Sequence, residues 1–358
     1  MSSRSCRFFA ALGSWVLFGA ALASGQSGAS YEVWVANEKS GDVTIIDGKD
    51  FNAVATIPVG KRPRGIHPSP DGKLVYVALS GSPNEGPPKL DAKGNPIHDD
   101  DDDDDKPKAD KAADGIGVVD VAQRKFLRKI PAGSDPEQFA VSPDGKRLFA
   151  ANEDVGAATV IDVTNGKIVT LVKVGREPEG VGITPDGKIC YVTCETAGEV
   201  FAIDTQTFKV VGHFNVNPRP RNVSFTADGA RAFITSESAG ELNVIDTAKL
   251  AVAKVIKLPA GSRPMDVKVS VDGEKVYVSN GRAGTISVVD AHSYELLNTI
   301  KVGPRPWGFD VSPDGKYLFV ANGPSDDVSV VDLATEKEIK RVKSPGAPGT
   351  VTVVPLAK

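Results

Sequence analysis

Hydrophobic residues recur along most of the chain in short runs separated by turn residues, and no helical period is present. In one stretch, an apolar run at residues 180–183 leads into the turn Thr-Pro-Asp-Gly at 184–187. In such a turn Pro presets φ, Asp bonds its own backbone and Gly accepts positive φ. The β-branched and aromatic run at 189–193 follows, then two more runs at 199–204 and 208–214. This pattern predicts four strands within about 42 residues.

The pattern repeats along the chain with the same Asp-Gly turn. The Asp residues of the turn are Asp71, Asp144, Asp186, Asp228, Asp272 and Asp314. By subtraction, the spacings are 73, 42, 42, 44 and 42 residues. Four strands in each repeat of about 42 residues are typical of a β-propeller blade. Parallel β-helices have much shorter repeats, and leucine-rich repeats need their own leucine spacing, so both fit worse.

Seven blades can be counted from the third strand, which ends in an apolar residue followed by Asp. These residues are Asp47, Asp120, Asp162, Asp204, Asp246, Asp290 and Asp332. Residues 31–37 resemble a second strand without a first, and residues 350–354 form a lone first strand. We therefore predict an all-β, seven-bladed β-propeller of four-stranded blades. The C-terminal strand is expected to join the N-terminal blade and close the ring, which removes two exposed sheet edges.

Residues 1–23 have a different character from the repeats. Arg4 and Arg7 precede an apolar run at 8–22, and small residues suited to cleavage follow. This order is typical of a secretory signal peptide, and the run is shorter than the roughly 20 residues that a membrane span needs. We expect a periplasmic protein whose mature part, residues 24–358, is a single propeller domain with no membrane span.

The first spacing is longer than the others by 31 residues, which places an insertion at about residues 82–113. The insertion is rich in Pro, Gly, Lys and Asp, a composition that cannot bury a core. It contains an unbroken run of acids: Asp99, Asp100, Asp101, Asp102, Asp103, Asp104 and Asp105. Because carboxylates suit Ca²⁺ and similar ions, the run is a candidate site for a divalent or trivalent cation. The alternative is a solvated acidic loop, and no other cofactor is predicted.

The insertion also explains the net charge. The chain carries −4, and loss of Arg4 and Arg7 leaves −6. Ten acids and five lysines give the insertion −5, so the propeller itself is near −1. No basic field favours nucleic acid as a partner.

Charged residues flank the Pro that precedes each first strand, and their sign changes along the ring. The flanks selected as a binding face are Arg62, Arg64, Glu137, Glu179, Arg219, Arg221, Arg263, Arg305 and Trp307. Charges of one sign form arcs, whereas solubility alone favours interspersed signs. Clustered arginines hold carboxylates, and a tryptophan is a common interface anchor. This favours a small anionic ligand or a periplasmic protein as partner. The alternative is pairing between neighbouring blades.

Three residues interrupt the small side chains expected near the propeller axis. Four residues before the turn Asp, three repeats have Ala, Gly or Ser, and the others have His67, Lys268 and Asp310. We assign these three to the central channel. Lys268 and Asp310 come from adjacent blades and are expected to form an ion pair. His67 is either a channel ligand or a hydrogen-bonded structural residue.

No set of residues in the sequence indicates a particular catalytic chemistry. There is no nucleophile elbow, and none of the four histidines pairs at metal-ligand spacing. Cys190 and Cys194 lie in one predicted strand about 13 Å apart, which is too far for a disulfide.

The second strands of the repeats read WVAN, YVAL, FAAN, YVTC, FITS, YVSN and FVAN. They resemble the YVTN-type β-propeller repeat. Residues 135–154 and 304–332 are similar to the PQQ-dependent-catabolism-associated β-propeller proteins, and the acidic insertion departs from that pattern. The resemblance implies an exported protein encoded with transport and alcohol-oxidation genes, but it implies little about activity.

Two function classes follow from these observations. The favoured interpretation is a monomeric, non-enzymatic binding or scaffold protein, accessory to PQQ-dependent alcohol oxidation or to an associated transport system. The alternative is a propeller enzyme, either a quinoprotein dehydrogenase subunit or a lactonase-like hydrolase. The sequence lacks the adjacent cysteine pair and the tryptophan-docking repeats of quinoproteins, and it shows no prominent pairing of His with an acid.

Overall fold

The computed structural model describes residues 30–83 and 108–356, which form seven four-stranded antiparallel sheets. Each sheet is one blade, and the predicted all-β, seven-bladed propeller is confirmed. The predicted signal peptide and the aspartate run lie outside the described residues. No helix in the described part of the chain is long and apolar enough to cross a lipid bilayer.

The strands follow the chain order blade by blade. Blade 1 contains β1 (Tyr31–Asn37), β2 (Asp42–Asp47), β3 (Ala53–Pro58) and the last strand, β28 (Pro348–Pro355). Blade 2 contains β4 (Pro63–Pro68), β5 (Leu74–Leu79), β6 (Gly115–Asp120) and β7 (Lys125–Ile130). Blade 3 contains β8 (Pro136–Val141), β9 (Arg147–Asn152), β10 (Ala157–Asp162) and β11 (Lys167–Lys173). Blade 4 contains β12 (Pro178–Ile183), β13 (Ile189–Cys194), β14 (Glu199–Asp204) and β15 (Val210–Asn215).

The remaining three blades have the same order. Blade 5 contains β16 (Pro220–Phe225), β17 (Arg231–Ser236), β18 (Glu241–Asp246) and β19 (Ala251–Lys257). Blade 6 contains β20 (Pro264–Val269), β21 (Lys275–Asn280), β22 (Thr285–Asp290) and β23 (Leu296–Lys301). Blade 7 contains β24 (Pro306–Val311), β25 (Tyr317–Asn322), β26 (Asp327–Asp332) and β27 (Lys337–Lys343). Short 3₁₀ segments at Glu153–Val155 and Gly323–Ser325 follow β9 and β25.

The two ends of the chain close the ring, as the sequence predicts. Strand β28 pairs antiparallel with β1, and Tyr31 lies opposite Pro355. Strand β28 is the innermost strand of blade 1 and packs between β24 and β4. The two ends of the chain are therefore joined within blade 1 by main-chain hydrogen bonds.

The Asp-Gly turn is stabilised in the way that the sequence indicates. In blade 3, Ser142 Oγ donates to Asp144 Oδ1 over 2.6 Å, and the same carboxylate oxygen accepts from the backbone N–H of Lys146. Gly145 has a φ of 70°, which a residue with a side chain adopts only with strain. The turn fixes the register between the innermost strand and the next one.

The hydrophobic core lies between the blades. Seven buried clusters each join residues of two adjacent blades, so every junction in the ring is apolar. Trp34 of blade 1, for example, packs with Ile66 and Val77 of blade 2. Cys190 and Cys194 are buried free thiols, in agreement with the expected absence of a disulfide between them. The blades leave only their innermost strands, β4, β8, β12, β16, β20, β24 and β28, around the central channel.

Candidate active site

The residue before the Pro of each innermost strand shapes the mouth of the channel. In all seven blades this residue has a left-handed φ between 41° and 59°, although none is glycine. The seven residues are Arg62, Asp135, Glu177, Arg219, Arg263, Arg305 and Ala347. Such a conformation costs about 1–2 kcal/mol per residue and persists only where the surroundings hold it. The turn is thus a fixed feature that carries the variable flanking side chains.

Loops between the second and third strands hold these turns. In four blades a loop glutamate donates its backbone N–H to the carbonyl oxygen of the left-handed residue, over 2.9–3.2 Å. The pairs are Glu38 with Ala347, Glu153 with Asp135, Glu195 with Glu177 and Glu237 with Arg219. These glutamates therefore lie on the same face as the Pro-flanked turns.

Blades 4 to 6 contribute a network of arginine and glutamate side chains at the mouth. Arg221 lies 2.9 Å from Glu179 and 2.8 Å from Glu237, and it also contacts Glu195. Arg219 contacts the same two acids, Glu195 at 2.7 Å and Glu237 at 3.5 Å. The Arg221 side chain is only 12% exposed. These acids raise the pKa of Arg221 further above its usual range, against the effect of burial.

Arg64 of blade 2 forms a second hub. Its guanidinium contacts Glu137 and lies 3.5 Å from Glu38 and 3.9 Å from Glu179. It also lies 5.4 Å from the ring centroid of Trp307. In this structure Arg64 and Arg221 form ion pairs with acids of neighbouring blades, which is the alternative that the sequence left open.

One part of the predicted binding face has few acidic partners. Arg305 stacks on Trp307, with 5.3 Å between the guanidinium carbon and the ring centroid, and forms no ion pair with any described residue. Arg263 lies 3.9 Å from Glu237, its one acidic partner among the described residues. Arg62 is 3.8 Å from Asp135. Binding of an anionic ligand by this face remains a prediction.

The mouth leads into a small cavity of about 40 Å³, open to solvent, at the end of the channel. Its wall brings together His67 of blade 2, Glu179 of blade 4 and Arg221 of blade 5. Lys268 and Trp307, from blades 6 and 7, complete the charged and aromatic part of the wall. Residues far apart in sequence thus form a single concave site.

His67 is neutral at physiological pH in this environment. Burial, reinforced by the charge of Lys268, lowers its pKa to about 4. Its ring stands perpendicular to that of Phe139, with 4.9 Å between the ring centroids, and Gln138 supplies a side-chain hydrogen bond. An uncharged imidazole keeps a lone pair that can accept a proton.

Two carboxylates with different roles lie beside Lys268. Lys268 Nζ is 3.5 Å from Asp310 Oδ1, the ion pair that the sequence indicates, and Asp310 raises the pKa of Lys268. Asp310 also accepts a hydrogen bond from the backbone N–H of Val353 in the closing strand. Asp266 lies on the cavity wall, where burial raises its pKa, and it accepts hydrogen bonds from Asn222 and from the backbone N–H of Phe309.

Sequence reasoning missed Gln138, Asn222 and Asp266, which all line the cavity. They occupy the second position after Pro in their repeats. The seven residues in that position are Gly65, Gln138, Gly180, Asn222, Asp266, Gly308 and Thr350. Four of the seven, Thr350 included, have polar side chains and the other three are glycines, so a comparison of this position across the repeats would have found the signal.

Comparisons with known proteins show which proteins this chain resembles. The family described as "Lactonase, 7-bladed beta-propeller" matches residues 181–355, a little under half of the chain. No curated protein sequence matches this chain.

Solved structures with the same architecture include several enzymes. The Pseudomonas aeruginosa periplasmic gluconolactonase PpgL is 22% identical with a TM-score of 0.71, covering 91% of this chain and 99% of its own. A Bacteroides fragilis protein assigned as a 6-phosphogluconolactonase is 20% identical with a TM-score of 0.71, covering 92% and 99%. Hydrazine synthase of Kuenenia stuttgartiensis is 20% identical with a TM-score of 0.65, covering 82% and 96%. At these identities the likeness establishes the fold alone.

The expectation of a non-enzymatic binding or scaffold protein is wrong. The lactonase match over residues 181–355, with gluconolactonase-type structural neighbours, favours the hydrolase that the sequence left as the alternative. This alternative had little support in the sequence, because no His and acid pair stands out along the chain. The structure brings His67 and Glu179 to one cavity from blades 2 and 4.

Proposed function

We propose that this protein is a lactone hydrolase acting on sugar-acid lactones. The observation that carries the proposal is the channel cavity, in which a neutral imidazole, a carboxylate and a buried guanidinium converge. The match of the lactonase family to residues 181–355, which contribute blades 4 to 7 and the closing strand, supports it.

The chemistry required is addition of water to a cyclic ester. Water attacks the carbonyl carbon, negative charge develops on the carbonyl oxygen, and the ring C–O bond breaks to give a hydroxy acid. His67 is the proposed general base, because its low pKa keeps it in the proton-accepting form at neutral pH. Arg221 is the proposed donor to the developing oxyanion, because its guanidinium is largely buried and ion pairs hold it in place.

Other residues of the cavity suit a polyhydroxylated substrate. Asn222 and Asp266 form a fixed polar pair, and Gln138 lies on the same wall. Such groups recognise hydroxyls through directional hydrogen bonds. Trp307 offers a flat face against which a sugar ring can pack.

Export to the periplasm is part of the proposal. It is supported by the signal-peptide pattern in residues 1–23 and by the periplasmic location stated for the gluconolactonase PpgL. The resemblance to PQQ-associated propellers supports a place beside an alcohol-oxidising system, because oxidation of a cyclic hemiacetal produces a lactone.

Hydrolysis of glucono-1,5-lactone by the mature protein, measured by pH-stat against the spontaneous rate, tests the proposal. We expect acceleration by the wild type and a fall in kcat of about 100-fold or more in His67→Gln, the usual contribution of a general base. His292→Gln is the matched control, because that side chain is 68% exposed and lies outside the cavity. No acceleration with any aldonolactone would refute the proposed function.

A further inference from the structure

A group of carboxylates at the junction of blades 2 and 3 stands apart from the channel cavity. One carboxylate oxygen from each of Asp135, Glu137 and Glu153 lies within 4.8 Å of the other two. Asp135 and Glu137 flank the Pro at the start of β8, and Glu153 begins the 3₁₀ segment after β9. None of the three lines the cavity assigned to lactone hydrolysis.

Glu137 is the residue that makes this group unusual. Its side chain is 1% exposed, and neither carboxylate oxygen accepts a hydrogen bond among the described residues. Its Oε2 contacts the guanidinium of Arg64. The carboxylate also faces the negative charges of Glu179 and Glu153, which the more distant Arg62 offsets only in part. A buried carboxylate without donors is costly unless a cation or a proton compensates it.

The positive charge near this group does not balance its three carboxylates. Arg62 is 3.8 Å from Asp135, and Arg64 is shared between Glu137, Glu38 and Glu179. Lys111 is bound to Asp154. In the network of blades 4 to 6, by contrast, Glu179, Glu195 and Glu237 face the three arginines Arg219, Arg221 and Arg263.

The ligand atoms define the kind of ion that fits. All three are carboxylate oxygens, which suit hard cations, and no thiol or imidazole is among them. Ca²⁺ binds oxygen at about 2.3–2.6 Å, so two ligands on opposite sides of the ion are about 4.6–5.2 Å apart. The three carboxylate oxygens lie within 4.8 Å of one another, which is compatible with this spacing.

We propose that Asp135, Glu137 and Glu153 bind one divalent cation of the Ca²⁺ type. The ion supplies the positive charge that Arg62 and Arg64 do not, and it joins the start of β8 to the loop after β9.

Calorimetric titration of the full mature chain with CaCl₂ at pH 7, together with thermal unfolding, tests this proposal. We expect one Ca²⁺ per chain and a rise in Tm on addition of Ca²⁺. Glu153→Gln should weaken Ca²⁺ binding at least tenfold and remove the rise in Tm. It should also raise the Tm of the metal-free chain, because it removes one of three repelling charges.

Two control variants make the result specific. Glu195→Gln changes the equivalent loop position of the next blade, in the charge-balanced network, and should keep the Ca²⁺-dependent rise in Tm. Replacement of Asp99 to Asp105 by Asn should also keep it. The proposal is overturned if Ca²⁺ changes neither heat nor Tm in the wild type. It is also overturned if the response survives in Glu153→Gln or disappears with the aspartate run.

Discussion

The uncharged state of His67 has a measurable consequence for stability. In the unfolded chain a histidine titrates near 6.5, whereas burial and Lys268 lower the pKa of native His67 to about 4. As pH falls between these two values, the unfolded state takes up a proton that the native state does not. The contribution of His67 is therefore fully present above pH 6.5 and is lost as pH falls towards 4.

The magnitude follows from proton linkage. Each pH unit between the two pKa values removes about 1.4 kcal/mol of unfolding free energy. Over the interval from 6.5 to 4, His67 accounts for about 3 kcal/mol. Because the ring is only partly buried at the channel wall, this figure is an upper limit.

Urea denaturation at pH 7, 6, 5 and 4.5, followed by tryptophan fluorescence, measures the effect. Carboxylates titrate in both proteins, so the difference in unfolding free energy between wild type and His67→Gln gives the contribution of the imidazole alone. We expect the wild type to lose more stability than the variant as pH falls, by up to about 3 kcal/mol. His292→Gln should behave as the wild type, since an exposed ring stays in water in both states. Parallel curves for wild type and His67→Gln would refute the reasoning.

Two further predictions concern ring closure and the buried ion pairs. Deletion of residues 349–358 should abolish cooperative thermal unfolding near the native midpoint. Burial of Val351, Val353 and Val354 in β28 contributes about 5–9 kcal/mol, which is comparable to a typical net stability of about 5–15 kcal/mol. An unchanged thermal unfolding curve would contradict the ring closure. Arg221→Ala should destabilise the protein by about 3–5 kcal/mol in thermal unfolding, because it leaves buried acids uncompensated. Arg263→Ala, with one partner at 3.9 Å, should cost much less; equal effects would show that Arg221 is not the hub.

The fold could be predicted from the sequence because each repeat carries the same local sequence pattern. A Pro before the first strand, an Asp-Gly turn after it and an apolar residue with Asp at the end of the third strand recur around the ring. A strand or turn that is ambiguous in one repeat can be assigned by comparison with the other repeats. Even the closure could be predicted, since the half-blades at the two ends complement each other.

The site was harder to predict because its residues come from different blades. His67 and Arg221 are 154 residues apart by subtraction, and nothing local in either repeat indicates that they line one cavity. The charges at the mouth were visible in sequence, but their partners depend on the reach of each side chain. Arg64, for instance, contacts acids of blades 1, 3 and 4. A linear pattern of signs cannot show such a three-way contact.

The left-handed residues before Pro explain why the residues on either side of this Pro nevertheless helped to locate the site. A backbone that costs about 1–2 kcal/mol in each of seven copies persists without glycine, because the loop between the second and third strands holds it through hydrogen bonds in most blades. The same geometry therefore recurs whatever side chain stands there. The repeat can then change chemistry at this position without changing its fold, so that one blade presents Asp135 for a proposed cation and another presents Arg305 beside Trp307. Differences between copies at a position of constant backbone thus report on function, and the second residue after Pro, where Gln138, Asn222 and Asp266 stand, extends the same argument to the cavity.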